Sequence, residues 1–567
     1  MGVNLSSGVE NLKPEELSVA ENVRFNEKGG CYTRFGYELT AGDGTGSKTD
    51  SMAVLQVYGV MLRKVGTAIQ QTVDGITWYS TGLTRTAGAV DYCLPRGKDM
   101  YITNVTDGFT RIAVSTLTTA LTTGSTSVVA RAGDGGQFTN GAAVIYIEGD
   151  EINYTAVSTD TLTTVTNIGA SHAAGSIITQ TSNPAGAPAG SCMCEFTSGN
   201  ASQCIVSGVS ANPSWLYYSD IATTTNPEYF YAFTPGIGSS AGSTPVPYKV
   251  TALYSGVDVI VIGTDQGLYY STGFDGTTSA MLVKELSRTH SIPNPFCITS
   301  MGDMLVCFTG RNFVPITNDV NGVRFAFDPV NKKRNLDDKI ASDLLSLDAD
   351  QSGAFVHYDP VTRELSGCAY KDSISKEYIY NRDTGTWSVD TGKDFNCKAN
   401  FLNRVYCGAQ SNADIYLQDE GYTDNDIPIV SRMVTGIYTQ DDKRMTSDYL
   451  KFMFGGLLNA TGTVTMRIYV NGAEAAEQVI TADDLQTASL MDVTTGVPIG
   501  GGTIGAETIG TSGNAADAYN FTYPLEMFFS GERFQVEWEV NDEGSLFELR
   551  DSRLDAETET ELEYDSQ

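Results

Sequence analysis

Basic residues are scarce in this chain. Lys and Arg number 36 of 567 residues against 68 Asp and Glu, giving a formal charge of −32 at pH 7. Charged residues make up only 18% of the chain, so the imbalance reflects missing cations and not dense charge. Proteins that hold duplex nucleic acid neutralise its phosphates with Lys and Arg, so this composition speaks against a classical DNA-binding role. Histidine is scarcer still. His172, His290 and His357 lie far apart, and neither a histidine-ligated zinc site nor a local Ser-His-Asp motif is expected. The ten cysteines are scattered, and the close pair Cys192 and Cys194 lacks metal-ligand spacing; they read as reduced, buried thiols. No run of about 18 apolar residues occurs, so no membrane insertion by this chain is expected. The opening MGVNLSSGVENLKPEEL has neither a basic n-region nor an apolar h-region, which predicts no secretory signal. Met1 to Ser6 fits the short myristoylation pattern, but no other feature points to a lipid anchor. No G-x-x-x-x-G-K-[ST] loop and no H-E-x-x-H occurs, so no enzymatic activity and no cofactor are expected.

What is present is strand. Hydrophobic residues reach 41% and aromatics 10%, too apolar for a disordered chain. Short runs rich in Val, Ile, Thr and Tyr alternate with Gly, Asn and Asp turns, the pattern of an all-β protein. Helical signals are confined to two places. Residues 14–22 carry Pro14 and acids in a first turn, and residues 336–347 place Ile340 and Leu344 on one face. A hairpin unit recurs at 58–78, 97–112, 256–271, 302–316, 376–389 and 403–417. Six imperfect copies predict a β-propeller of about six or seven blades. Two turns in these copies end on Trp, at 74–78 and 383–387. There Asp74 and Asp383 are expected to cap backbone N–H groups and the Trp to pack between blades.

The domain reading follows composition. Residues 1–50 form an N-terminal arm and first strands, and 51–112 the first part of the propeller. Residues 113–180 hold no Lys and only Arg131 as a base, yet carry their own alternating strands, so they read as an inserted small β module. The propeller resumes over 181–426. Longer strands over 427–546 predict a C-terminal β-sandwich, followed by an acidic tail at 547–567.

Two acidic patterns are candidate sites. Asp348, Asp350, Ser352 and Gly353, with Asp359 at the twelfth position, match the opening of a calcium loop. The AFVHY run that follows reads as a strand and not as the second helix, so Asp348, Asp350 and Asp359 are weak metal candidates and a helix-to-strand turn is the simpler reading. In the tail, Glu557, Glu559, Glu561 and Glu563 alternate with Thr, Leu and Tyr. On an extended strand all four would face one side, as a solvated tail or as an arm lining a lumen or an inter-subunit seam.

Four segments in order resemble the tail nozzle proteins of short-tailed bacteriophages, the tail tubular protein B group. They are Leu12-Lys13-Pro14-Glu15-Glu16 through Glu21-Asn22-Val23-Arg24-Phe25 to Arg34-Phe35-Gly36-Tyr37; the insertion, with Gly149-Asp150-Glu151-Ile152-Asn153-Tyr154-Thr155 and Ser171-His172-Ala173-Ala174-Gly175; Asn212-Pro213-Ser214-Trp215-Leu216-Tyr217-Tyr218-Ser219-Asp220 with Asn226-Pro227-Glu228-Tyr229-Phe230; and Tyr378-Ile379-Tyr380 to Trp387 with Asp424-Asn425-Asp426-Ile427-Pro428-Ile429. The likeness spans most of residues 1–470. It implies a structural virion protein made in the host cytoplasm, a homohexameric ring below portal and adaptor through which DNA passes without specific binding. Partners would be further copies of the chain, the tail adaptor protein, and tail fibre or spike proteins. The family supplies no catalytic residues. A receptor- or glycan-binding tail propeller and a glycosidase propeller are the alternative readings.

Overall fold

The computed structural model describes the chain apart from residues 1, 8–10, 14–15, 27–29, 43–46, 199–200, 222–231, 236–239, 257–258, 275–280, 320–321, 326–335, 440–444, 458–462, 482–520, 526–528, 543–545 and 559–567. Strand accounts for 58% of the chain and helix for 2%, so the protein is all-β. It is built from many small antiparallel sheets and one long, nearly closed sheet.

Among the described residues, seven groups of four strands follow one another along the chain. The first is Thr49–Leu55, Val60–Val65, Ala68–Thr72 and Tyr79–Thr84. The second is Tyr92–Arg96, Asp99–Asn104, Gly108–Thr116 and Ile177–Ser182. The third runs from Cys192–Ser198 to Gly242–Pro245, the fourth from Val250–Gly256 to Met281–Ser287, and the fifth from Ile298–Met301 to Gly322–Phe325. The sixth runs from Phe355–Asp359 to Thr386–Asp390. The seventh contains Phe395–Phe401, Arg404–Ala409 and Ile415–Gln418, and its fourth strand is Tyr37–Ala41, from the beginning of the chain. The first strand of each group lies against the first strand of the next, and that of the seventh against that of the first.

Burial follows position within each group. The second strands Val60–Val65, Asp99–Asn104 and Val259–Thr264 are buried at every residue, because both faces are covered by neighbouring sheets. Fourth strands such as Tyr79–Thr84 and Met281–Ser287 are mostly exposed or half-buried. Thr386–Asp390, by contrast, is wholly buried, since Glu16–Glu21 lies beside it. Tight turns carry positive φ where a hairpin demands it. The Asn471–Gly472 turn, at φ +52° and +81°, is the sort of dipeptide that such a turn selects.

Residues 117–176 are inserted between the last two strands of the second group. Ala143–Ile147 and Asp150–Tyr154 extend its sheet, and Ser127–Val129, Ala156–Ser158 and Thr161–Thr163 form a small sheet of their own. The module is tethered to the first group. Tyr58 Oη donates to Asp134 Oδ2 at 2.6 Å, and the Tyr146 ring packs where Gly82 leaves no Cβ.

Residues 1–50 are not an arm of their own. Gly2–Val3 and Glu16–Glu21 share a sheet with Ile427–Thr435, Phe534–Asp542, Thr463–Val470 and Ala473–Thr481. Val23–Phe25 and Cys31–Thr33 share a second sheet with Leu546–Thr558 and Met445–Leu457. The two sheets bury one apolar core, in which Cys31 Sγ sits 3.1 Å from Met433 Sδ. Where a helix is expected over 14–22, Glu16–Glu21 is a strand, and residues 14 and 15 lie outside the described residues. Leu17 and Ala20 are buried, and pairing to Ile427–Thr435 overrides the local helix-start signals. The tail expected from 547 onward continues as strand to Thr558. The second helical expectation shortens to Ala341–Leu345, with Leu344 buried.

Just before this helix, Asp337 is fully buried and accepts from the Phe313 N–H at 2.7 Å. Burial pushes its carboxyl up to about 6 against the hydrogen bonds that favour the ion. A raised carboxyl pKa means that the folded state holds a proton the unfolded chain has released. Stability from this group therefore falls as pH rises from about 4 to about 6. Asp337→Asn is expected to stabilise the protein at about pH 7.5 by up to about 3 kcal/mol, with the gain vanishing near pH 4. Denaturant midpoints across that range check it; a gain that is independent of pH would contradict the assignment.

Candidate functional site

The calcium-like string does not assemble. Asp348 accepts from the backbone N–H groups of Asp372 and Ser373, each at 2.9 Å. Asp350 accepts from Ser352 N–H. Asp359 accepts from Val361 N–H, Thr362 N–H and Thr362 Oγ1. Each carboxylate is occupied in stabilising a turn, two of them their own, and Phe355–Asp359 is a strand. Among the described residues no group of three or more His, Cys, Asp or Glu is placed to hold a metal. Of the tail glutamates, Glu557 lies in a strand opposite Thr446; Glu559, Glu561 and Glu563 lie outside the described residues.

The two Trp turns divide the expectation. Asp74 does cap, accepting from Ile76 and Thr77 N–H at 2.8 Å. In the other turn Asn381 takes that role, accepting from Asp383 and Thr384 N–H, while Asp383 pairs with Arg363. Trp387 is buried between groups five and six, with Phe313 at 5.2 Å and Nε1 donating to Leu336 O.

Arg24, Arg34, Arg63, Lys64, Arg85, Arg96 and Lys393 are all buried. The densest cluster joins the N-terminal strands to groups six and seven. Arg24 grips both oxygens of Asp390 at 2.8 Å and Glu364 at 3.0 Å. Arg34 binds Asp424 in the same forked manner. Lys393 lies 2.6 Å from Asp390 and 3.3 Å from Glu377, and Lys398 completes the chain on Glu377. Burial alone would raise the Asp390 pKa, but Arg24, Lys393 and Arg34 hold it well below the usual carboxylate range. Burial would likewise raise Glu377, which Lys393 and Lys398 bring down to about 2.

Where the first strands converge there is a cavity of about 330 Å³ lined by residues of groups one, two, four, five, six and seven. Its polar side is built from Asp50, Ser51, His357, Asn396, Lys398 and Asn400. On Phe395–Phe401, buried and half-buried residues alternate, which places Asn396, Lys398 and Asn400 on one side of the strand. His357 Nε2 contacts Asn400 Oδ1 at 2.8 Å, and Asn400 Nδ2 donates to Tyr358 O. Burial, with Lys398 nearby, brings His357 down to about 4, so its imidazole is neutral at physiological pH. Sequence reading missed this set because its members are up to 350 residues apart. The one available signal was the polar period-two stripe on 395–401.

No family model and no curated protein matches the chain. Among solved structures, the computationally designed Ika8 protein is similar over 68% of this chain and all of its own, at 8% identity and a TM-score of 0.33. A likeness at that score carries no argument about fold or function.

Proposed function

We propose that the seven strand groups are the blades of a β-propeller, that the two sheets shared by the termini form a β-sandwich, and that the chain is a structural subunit of a bacteriophage tail nozzle. The observation that carries this reading is the closure of the chain on itself. The beginning of the chain completes the seventh group and both sheets of the terminal body, so strands far apart in sequence form one rigid unit suited to bearing load in a ring. The charge supports it. A conduit must let nucleic acid slide, and a chain with 68 acids against 36 bases offers few partners for phosphate. The insertion, seated beside groups one and two, would build the distal tip. In this reading the subunit is a homohexamer in the virion tail, meets the adaptor above and fibres or spikes at its flank, and has no enzymatic role.

Electron microscopy of the purified chain tests the proposal. The expected result is a six-fold ring with an acidic lumen. A chain that stays monomeric at every concentration tried and is absent from purified virions would overturn it.

A further inference from the structure

We propose that the cavity where the first strands converge binds a small neutral aromatic molecule that carries an N–H or O–H donor. Its volume of about 330 Å³ lies at the lower end of the range usual for ligand pockets, roughly 300–1,000 Å³. Two polar atoms of its lining are fixed as acceptors. Asn400 Nδ2 donates to Tyr358 O at 2.9 Å, which turns Asn400 Oδ1 toward His357 Nε2 at 2.8 Å. The neutral imidazole therefore carries its proton on Nε2, and Nδ1 keeps a bare lone pair. Asn396 Nδ2 donates to Thr49 O at 3.0 Å, which leaves Asn396 Oδ1 as the free end of that amide. Among the described residues neither His357 Nδ1 nor Asn396 Oδ1 has a partner, and neither belongs to the enclosed unpartnered atoms of the protein. Both are therefore open, on side chains that line the cavity, and each asks a ligand for a donor.

Most of the remaining lining is apolar, and Tyr92 and Phe296 present rings 5.7 Å apart. A flat aromatic ligand packs on such rings while its donor reaches His357 Nδ1. No charge in the lining is free to meet an ion. Asp50 and Lys398 are the charged lining residues, and their side chains are only 2% and 1% exposed. Asp50 is paired with Lys64 at 3.3 Å, and Lys398 with Glu377. An ionic ligand would give up its water without gaining a counter-charge. This site is independent of the nozzle reading: a ring could form without it, and it could bind without a ring.

The test is saturation-transfer NMR on the full chain with two matched pairs, indole against N-methylindole and phenol against anisole, followed by calorimetry on any that bind. Indole or phenol is expected to bind one-to-one with a Kd of about 1 mM or tighter. Its methylated counterpart is expected to bind about tenfold more weakly, because it leaves His357 Nδ1 unpaired. His357→Phe keeps a ring at that position but removes the acceptor, and is expected to bind both members of the pair alike. Should that variant fail to fold, nitrogen NMR of the parent labelled at its three histidines decides: the ligand is expected to shift the His357 Nδ1 signal and to leave those of His172 and His290 in place. No saturation transfer from either indole or phenol would overturn the proposal. So would equal affinity within each pair on the parent, a preference retained in His357→Phe, or an unmoved His357 signal.

Discussion

Replacing Asp390 by alanine is expected to destabilise the protein by about 3–5 kcal/mol, the range for breaking a buried ion cluster from one side. Its side chain is fully buried and holds Arg24 through two 2.8 Å contacts, Lys393 at 2.6 Å and Arg34 at 3.7 Å. Removing it leaves three buried cations short of their shared anion, with Glu364, Glu377 and Asp424 already engaged. The cluster does more than balance charge. Arg24 lies in Val23–Phe25, Arg34 directly follows Cys31–Thr33 and Asp390 ends the last strand of group six, so the contact pins the terminal body to the succession of strand groups. The pH dependence has a fixed sign. Because the Asp390 pKa is lowered on folding, its contribution is present above the unfolded value of about 3.9 and is lost as pH falls below it. Urea midpoints of the variant and the parent measure the effect. Arg288→Ala serves as control, since the Arg288–Glu285 pair is solvent-exposed and its loss should leave the midpoint unmoved. If Asp390→Ala behaves like that control, the cluster is not the anchor described here.

Deleting residues 1–41 is expected to be more severe and to abolish cooperative unfolding. The deletion removes Tyr37–Ala41, the fourth strand of group seven, and exposes the edge of Ile415–Gln418. It also removes Glu16–Glu21, which lies between Thr386–Asp390 and Ile427–Thr435, and Val23–Phe25 and Cys31–Thr33 from the second sheet of the terminal body. Asp390, Asp424 and Glu364 lose both arginines at once. New unpaired strand edges favour association with other chains, so the truncated protein should elute as aggregates on size exclusion and show no sharp thermal transition by circular dichroism. A truncated monomer that melts at the temperature of the intact chain would show that these strands are dispensable.

How far the sequence was legible depends on the range of the interaction. Six hairpins were visible because each is local, an alternating strand, a turn and another strand. All six lie in strand groups of the structure. The hairpin of Cys192–Ser198 and Ala201–Ser207 was missed, although Gly199–Asn200 stands between its strands as a turn signal. Its Cys, Ser and Thr content hid the alternation. Residues 14–22 misled for the opposite reason. Their capping pattern is a local preference worth a fraction of a kcal/mol per residue, and a strand with two partners outweighs it. The metal string failed because turn residues and metal ligands are the same residue types: Asp348, Asp350 and Asp359 satisfy backbone N–H groups.

The sequence alone determined the all-β class, the succession of short hairpins, the inserted module and the shortage of cations. Each of these rests on composition or on a period of two, which neighbouring residues carry among themselves. Only the tertiary structure decided that the beginning of the chain closes the seventh group, that strands from both ends of the chain share two sheets, that a buried ion cluster joins Arg24 and Arg34 to groups six and seven, and that a cavity with one polar side sits where the first strands meet. Alternation tells which residues of a strand share a face, but it does not name the strand across from it. That choice is made by pairing across hundreds of residues, where backbone hydrogen bonds and burial are gained together.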